Sequence, residues 1–185
     1  MASIFDDIEE ILFTEEQLAA IVKEMGKKIS EDYKDKNLVL ASVLKGSLIF
    51  MADLMREITI PCTIDFLSVS SYGSGTSTSG EVRILKDLDG KLEGKDLLIV
   101  EDILDSGVTL SYLLKTLSAR NPSSIRLCTL LDKPERRRVD VKADYIGAQV
   151  PDQFIVGYGL DYAEKYRNVP FVGVLKPEIY TCEKE

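Results

Sequence analysis

The sequence predicts an α/β fold with a mainly parallel central sheet flanked by helices. Three observations predict it. Short, almost wholly apolar runs recur at Leu38–Leu44, 97–100 and 125–131, as in strands covered on both faces. The first two of these runs each lead through a polar turn into a segment with apolar residues at helical period, the βα alternation of a parallel sheet. The 185 residues contain no internal repeat and no linker, so one domain accounts for the chain.

The first helix starts after Thr14, which has capping-box spacing to Gln17, and Leu18, Ile21, Val22, Met25 and Ile29 form its apolar face. Leu38–Leu44 follows as a buried strand, turned by Lys45-Gly46-Ser47 into a helix over 48–56. Ile64 and Phe66 mark a strand that runs into residues 70–80, SSYGSGTSTSG. Ten of those eleven residues are Ser, Gly or Thr, too few apolar groups for a core, so the segment is expected to be mobile. A return strand is expected over 83–85, and Asp87-Leu88-Asp89-Gly90 reads as a turn. The apolar run 97–100 precedes the polar loop 101–109, and Leu110, Leu113, Leu114 and Leu117 then take up helical spacing. The strand 125–131 ends at Asp132-Lys133-Pro134 and a cluster of Arg136, Arg137 and Arg138. Segments 154–160 and 170–175 complete the strands, with 161–167 between them.

Composition narrows the chemistry. A hydrophobic content of 45% and a charged content of 29% belong to a soluble globular protein. Histidine is absent, which excludes Ser-His-Asp and Cys-His nucleophile systems, His-based zinc sites and imidazole bases. With 23 basic and 31 acidic residues the net charge is -8, which argues against nucleic-acid or anionic-membrane partners. The three cysteines, Cys62, Cys128 and Cys182, form no CxxC pair, as expected of a reduced cytoplasmic protein. An acidic N-terminus and the lack of an apolar run of about 20 residues are unlike a signal peptide or a membrane span.

Ligands of open α/β sheets bind outside the carboxyl ends of the strands. Four polar loops lie there: Lys45 to Ser47, 101–109, Asp132 with Lys133, and the stretch around Asp161. The common nucleotide motifs fail. No G-x-x-x-x-G-K-[ST] occurs, and Gly157-Tyr158-Gly159 has Tyr162 where a Rossmann fingerprint needs its third glycine. The stretch LLIVEDILDSGVT, residues 97–109, offers a different anion site. Gly107 permits close backbone approach, Ser106 and Thr109 supply hydroxyls, and successive N–H groups at a helix start cradle a monophosphate. Glu101 and Asp102 just before it suit vicinal hydroxyls or a hydrated Mg²⁺. Taken singly, these acids are solvated groups, Asp105 is a helix N-cap, Lys133 and Arg167 are surface cations and Phe154 is a core aromatic. The arginine run reads as a solvated face or a subunit contact.

Together the stretches resemble the purine branch of the type I phosphoribosyltransferase family. Residues 97–109 match its signature for 5-phosphoribosyl-1-pyrophosphate. Leu44-Lys45-Gly46-Ser47 is similar to its pyrophosphate loop, Ser71-Tyr72 and the Gly/Ser/Thr run to its lid, Leu131-Asp132-Lys133-Pro134 to its purine-recognition segment, and 151–162 to the hood over the base. The resemblance implies transfer of the 5-phosphoribosyl group to N9 of hypoxanthine or guanine, releasing pyrophosphate and giving IMP or GMP in purine salvage. It implies a single domain whose small hood, over the strand C-terminal ends, comes from the N-terminal segment and residues 150–170. Asp105 becomes the general base near purine N7 and, with Ser106, Gly107, Val108 and Thr109, binds the phosphate. Glu101 and Asp102 bind ribose and Mg²⁺. Ile103, Lys133, Phe154, Ile155 and Asp161 meet the purine, with Asp161 facing its 2-position or orienting water on a second Mg²⁺. Lys45, Gly46, Ser71, Tyr72 and Arg167 bind pyrophosphate. A cis peptide between Leu44 and Lys45 and a homodimer or homotetramer are also implied. Val108 departs from relatives that have lysine there, and Gly73-Ser74-Gly75 departs from many lid tips. A rival reading, a donor-sensing regulator that binds RNA or DNA, lacks the basic stripe it needs.

Overall fold

A computed structural model describes residues 3–71 and 82–181. The lid expected over 70–80 therefore lies almost entirely outside the described residues. The main sheet has six strands: β2 (Leu38–Leu44), β3 (Cys62–Ser71), β4 (Val82–Lys86), β5 (Asp96–Leu104), β6 (Ser124–Asp132) and β7 (Tyr145–Gln149), in the order β4-β3-β2-β5-β6-β7. All neighbours are parallel except β4, which returns antiparallel on β3. Edge strand β7 has no counterpart in the sequence reading. Its five residues, YIGAQ, include two small ones and follow a polar stretch, so neither length nor apolarity announces them.

Helices cover both faces. Helix α1 (Glu15–Asp32) begins with the expected capping box between Thr14 and Gln17. It packs with α2 (Leu48–Glu57) over Leu38, Leu40, Leu98 and Val100. On the other face α3 (Val108–Ser118) sets Leu110, Leu113 and Leu117 against Val39, Ala41, Leu97 and Ile99. The alternation of strand side chains thus assigns every second residue of β2 and β5 to each layer. In β5 it slips at the acid pair, after which Ile103 joins the α1/α2 side and Leu104 the α3 side.

A second, three-stranded antiparallel sheet joins the two ends of the chain. It orders β1 (Ile8–Phe13), β9 (Val172–Leu175) and β8 (Ile155–Val156), and the short helix α4 (Pro177–Thr181) follows it. The expected strand 154–160 is thereby cut to two residues. Gly157, Tyr158 and Gly159 all take positive φ, and Gly157 bridges Leu160 across the resulting turn. The missed β1 has the pattern IEEILF, with adjacent glutamates that break strict alternation.

Candidate active site

Strand β5 continues four residues beyond its apolar run, so Glu101 and Asp102 lie inside the sheet and not in a solvated loop. Burial sets their chemistry. Asp102 is 9% exposed, its Oδ1 accepts its neighbour Ile103 N–H at 3.0 Å, and desolvation, the largest influence, pushes its carboxyl up to about 6. The Oε2 of Glu101 is buried with no hydrogen-bond partner, and burial together with the charge of Asp102 raises that carboxyl well above the usual range. Two adjacent acids held in this way are primed for a cation or for hydroxyl donors.

Beyond the strand, Gly107 takes φ 79° and caps α3, a left-handed geometry that glycine adopts without penalty. The N-cap is Gly107, which removes the alternative of Asp105 as a simple cap. Ser106 Oγ accepts Val108 N–H at 3.4 Å, and the turn presents the first amides of α3 outward, an anion cradle. Asp105 sits at its entrance with Oδ1 buried and unpartnered.

The next loop in space is Leu44 to Ser47. The Leu44–Lys45 peptide is cis, as the resemblance implied. Ser47 Oγ donates to Val43 O at 2.5 Å and pairs with Ser42 Oγ at 2.7 Å, fixing the turn from inside. A Cβ on Gly46 would fall 1.9 Å from Asp102 Oδ2, so the close approach of this loop to the acid pair demands glycine. Lys45 Nζ meets Glu164 Oε2 at 3.0 Å in an exposed pair of little intrinsic strength. Arg167 donates to Gly159 O at 2.8 Å and pairs with Asp161 Oδ1 at 2.8 Å, while its Nε is buried and unpartnered. Asp161 Oδ2 accepts Glu164 N–H at 3.0 Å. Both oxygens of Asp161 are therefore engaged, and among the described residues no three acidic groups gather around one point. Glu101 and Asp102 fit a divalent ion whose remaining ligands come from water and substrate oxygens, as magnesium usually takes them. The Ser71 side chain and Tyr72 lie outside the described residues.

Ile103, Asp105, Lys133, Phe154, Ile155 and Asp161 line one cavity of about 560 Å³. Lys133 is only 7% exposed and donates from Nζ to Gln153 O at 2.8 Å. Burial lowers its pKa, and the neighbouring Asp105 charge opposes that. Phe154, in contrast to a core aromatic, is 37% exposed and faces the cavity.

Sequence reasoning missed Arg137. Its guanidinium donates to Leu104 O at 3.1 Å and Asp105 O at 2.5 Å and pairs with the buried carboxylate of Asp132. The Arg138 amide also donates to Ser106 O at 3.0 Å, so the arginine run is not simply a solvated face but binds the cradle from behind. The only signal was its place, just past Lys133 at a strand's carboxyl end.

A family model described as phosphoribosyl transferase domain matches residues 9–163. A hypoxanthine-guanine phosphoribosyltransferase of Bacillus subtilis is 54% identical over 174 residues, which cover 94% of this chain and 97% of that protein. Another enzyme of that name, from Staphylococcus epidermidis, is 52% identical over 95% of this chain and 98% of its own length. The crystal structure of a hypoxanthine phosphoribosyltransferase from Staphylococcus aureus superposes with a TM-score of 0.94 at 49% identity, covering 98% of this chain and 99% of that one.

Proposed function

The chain belongs to the phosphoribosyl transferase domain family, and from that premise we propose that it transfers the 5-phosphoribosyl group of 5-phosphoribosyl-1-pyrophosphate to N9 of hypoxanthine or guanine. The products are IMP or GMP and pyrophosphate, the chemistry of purine salvage. One observation supports this above the rest: an anion cradle, a buried acid pair and an aromatic-walled cavity with a buried lysine meet at one end of the sheet.

In this reading the 106–109 turn binds the 5′-phosphate through main-chain N–H groups and the hydroxyls of Ser106 and Thr109. Glu101 and Asp102 accept hydrogen bonds from the ribose hydroxyls. The purine enters the cavity with Phe154 on one face and Ile103 on the other, and the Ile155 backbone reads its edge. Lys133 Nζ donates to the 6-oxo group and stabilises electron density that builds on the ring. Asp105 accepts the N7 proton as N9 attacks ribose C1. Lys45, Gly46 and Arg167, with Ser71 and Tyr72, hold the departing pyrophosphate, and the exposed Lys45–Glu164 pair opens at little cost to meet it. Asp161 fixes Arg167 and borders the cavity. Glu101 and Asp102 would hold Mg²⁺, which would supply Lewis-acid stabilisation of the leaving group when bound. The small β1-β9-β8 sheet serves as the hood over the base.

An ultraviolet assay of the purified protein with the donor, Mg²⁺ and each of hypoxanthine, guanine, xanthine and uracil tests this. Nucleotide formation from a 6-oxopurine and none from uracil is expected. Absence of product with both hypoxanthine and guanine contradicts the proposal.

A further inference from the structure

The cavity is lined by a second aromatic, Tyr180, packed on its first. Phe154 stacks on Tyr180 of α4, with ring centroids 4.9 Å apart and planes 22° from parallel. Tyr162 meets the Phe154 ring edge-on at 5.4 Å. With one face covered by a stacked ring and part of its rim by another, Phe154 still keeps 37% of its surface exposed. With Tyr180 on one face, the surface left to Phe154 is its other face and its free edge, and both rings line the cavity shared with Ile103, Asp105 and Lys133. Rings already at stacking distance leave no room for a third between them. A planar ligand therefore meets the open face.

The helix that bears Tyr180 is tied down. Leu175 N–H donates to Phe154 O at 2.8 Å, Lys176 N–H donates to Asp7 O at 3.0 Å, and Ile179 and Tyr180 pack against Val156, Tyr166, Val169 and Leu175. Tyr180 is thus fixed to the same small sheet that presents Phe154. A half-exposed ring without such a neighbour samples several orientations, and a ligand has to order it on binding.

We propose that Tyr180 is a positioning residue for the purine base: it stacks behind Phe154 and holds that ring where its open face receives the base. The proposal rests on the base-site reading above. Steady-state kinetics of wild type, Tyr180→Ala and Tyr180→Phe test it, with hypoxanthine varied at saturating donor and the donor varied at saturating hypoxanthine. Tyr180→Ala is expected to raise the hypoxanthine KM about three- to tenfold, the worth of one aromatic pair, and to leave the donor KM within about twofold. Tyr180→Phe is expected to restore the wild-type value, since the ring and not the hydroxyl does the stacking. An unchanged hypoxanthine KM in Tyr180→Ala overturns the proposal, and a lowered one makes Tyr180 a competitor of the base. Equal rises in both KM values, or failure of phenylalanine to restore binding, reduce the contact to general stability and overturn it as well. A wild-type protein that transfers to neither purine overturns the base-site reading itself, and the proposal with it.

Discussion

Asp105 and Asp102 are both carboxylates at the end of β5, yet their surroundings assign them different work. Asp105 has a buried, unpartnered Oδ1 and shares the cavity with Lys133, where the proposed reaction calls for a proton acceptor. Asp105→Asn keeps shape and removes basicity, so kcat is expected to fall about 10²-fold or more with little change in donor KM. Equal turnover in the variant contradicts the assigned role. Asp102 is held against desolvation, with its carboxyl at about 6 in the folded protein against about 3.9 unfolded. A folded pKa above the unfolded one means that the stability is present below about pH 4 and is lost as pH rises through about 6, roughly 3 kcal/mol in all. Asp102→Asn is therefore expected to raise Tm at pH 8 by on the order of 5–10 °C and by much less at pH 4.5. A thermal shift of the same size at both pH values contradicts this account. The substitution removes an acid that is costly to bury, as strain at a working site generally is.

The elements that carry apolar periodicity were legible in the sequence, and those defined by pairing were not. Strand β2 and helices α1, α2 and α3 appear where their apolar spacing puts them, because each buries a continuous face. β1, β7 and α4 are set by partners distant in sequence: β1 exists because β9 accepts it, and α4 follows the same sheet. The site divides along the same line. The anion cradle and the acid pair are contiguous in residues 97–109 and could be read directly, whereas Arg137 and Tyr180 act through contacts that only folding creates. Arg137 joins the Asp132 carboxylate to the carbonyls of Leu104 and Asp105. Arg137→Met leaves a buried charge unpaired and is expected to cost roughly 3–5 kcal/mol. Adding Asp132→Leu is expected to recover most of that stability by denaturant titration, without recovering product-nucleotide affinity. Full recovery of both restricts Arg137 to a structural role. Gly46→Ala tests the neighbouring loop, since its Cβ would strike Asp102 Oδ2. Donor KM is expected to rise at least tenfold with hypoxanthine KM little changed, and a normal donor KM contradicts the close approach as a requirement for binding.

Across the whole molecule, the substrate in the proposed reading is divided between two sheets. The six-stranded sheet supplies the phosphate cradle and the acids, and the small sheet formed by both ends of the chain supplies Phe154, Ile155 and the turn that leads to Arg167. The acidic surface, at a net charge of -8, repels anions in general, so a phosphorylated ligand must be held by the local cradle and the cations around it rather than by the overall field. Everything proposed for catalysis follows from where the sugar phosphate sits. A crystal structure of the IMP complex measures that directly. The account predicts the 5′-phosphate against the main chain of 106–109, the ribose hydroxyls at Glu101 and Asp102, and the purine on the open face of Phe154 with its 6-oxo group at Lys133. A 5′-phosphate bound at any other loop, with the 106–109 turn free of it, would contradict the account.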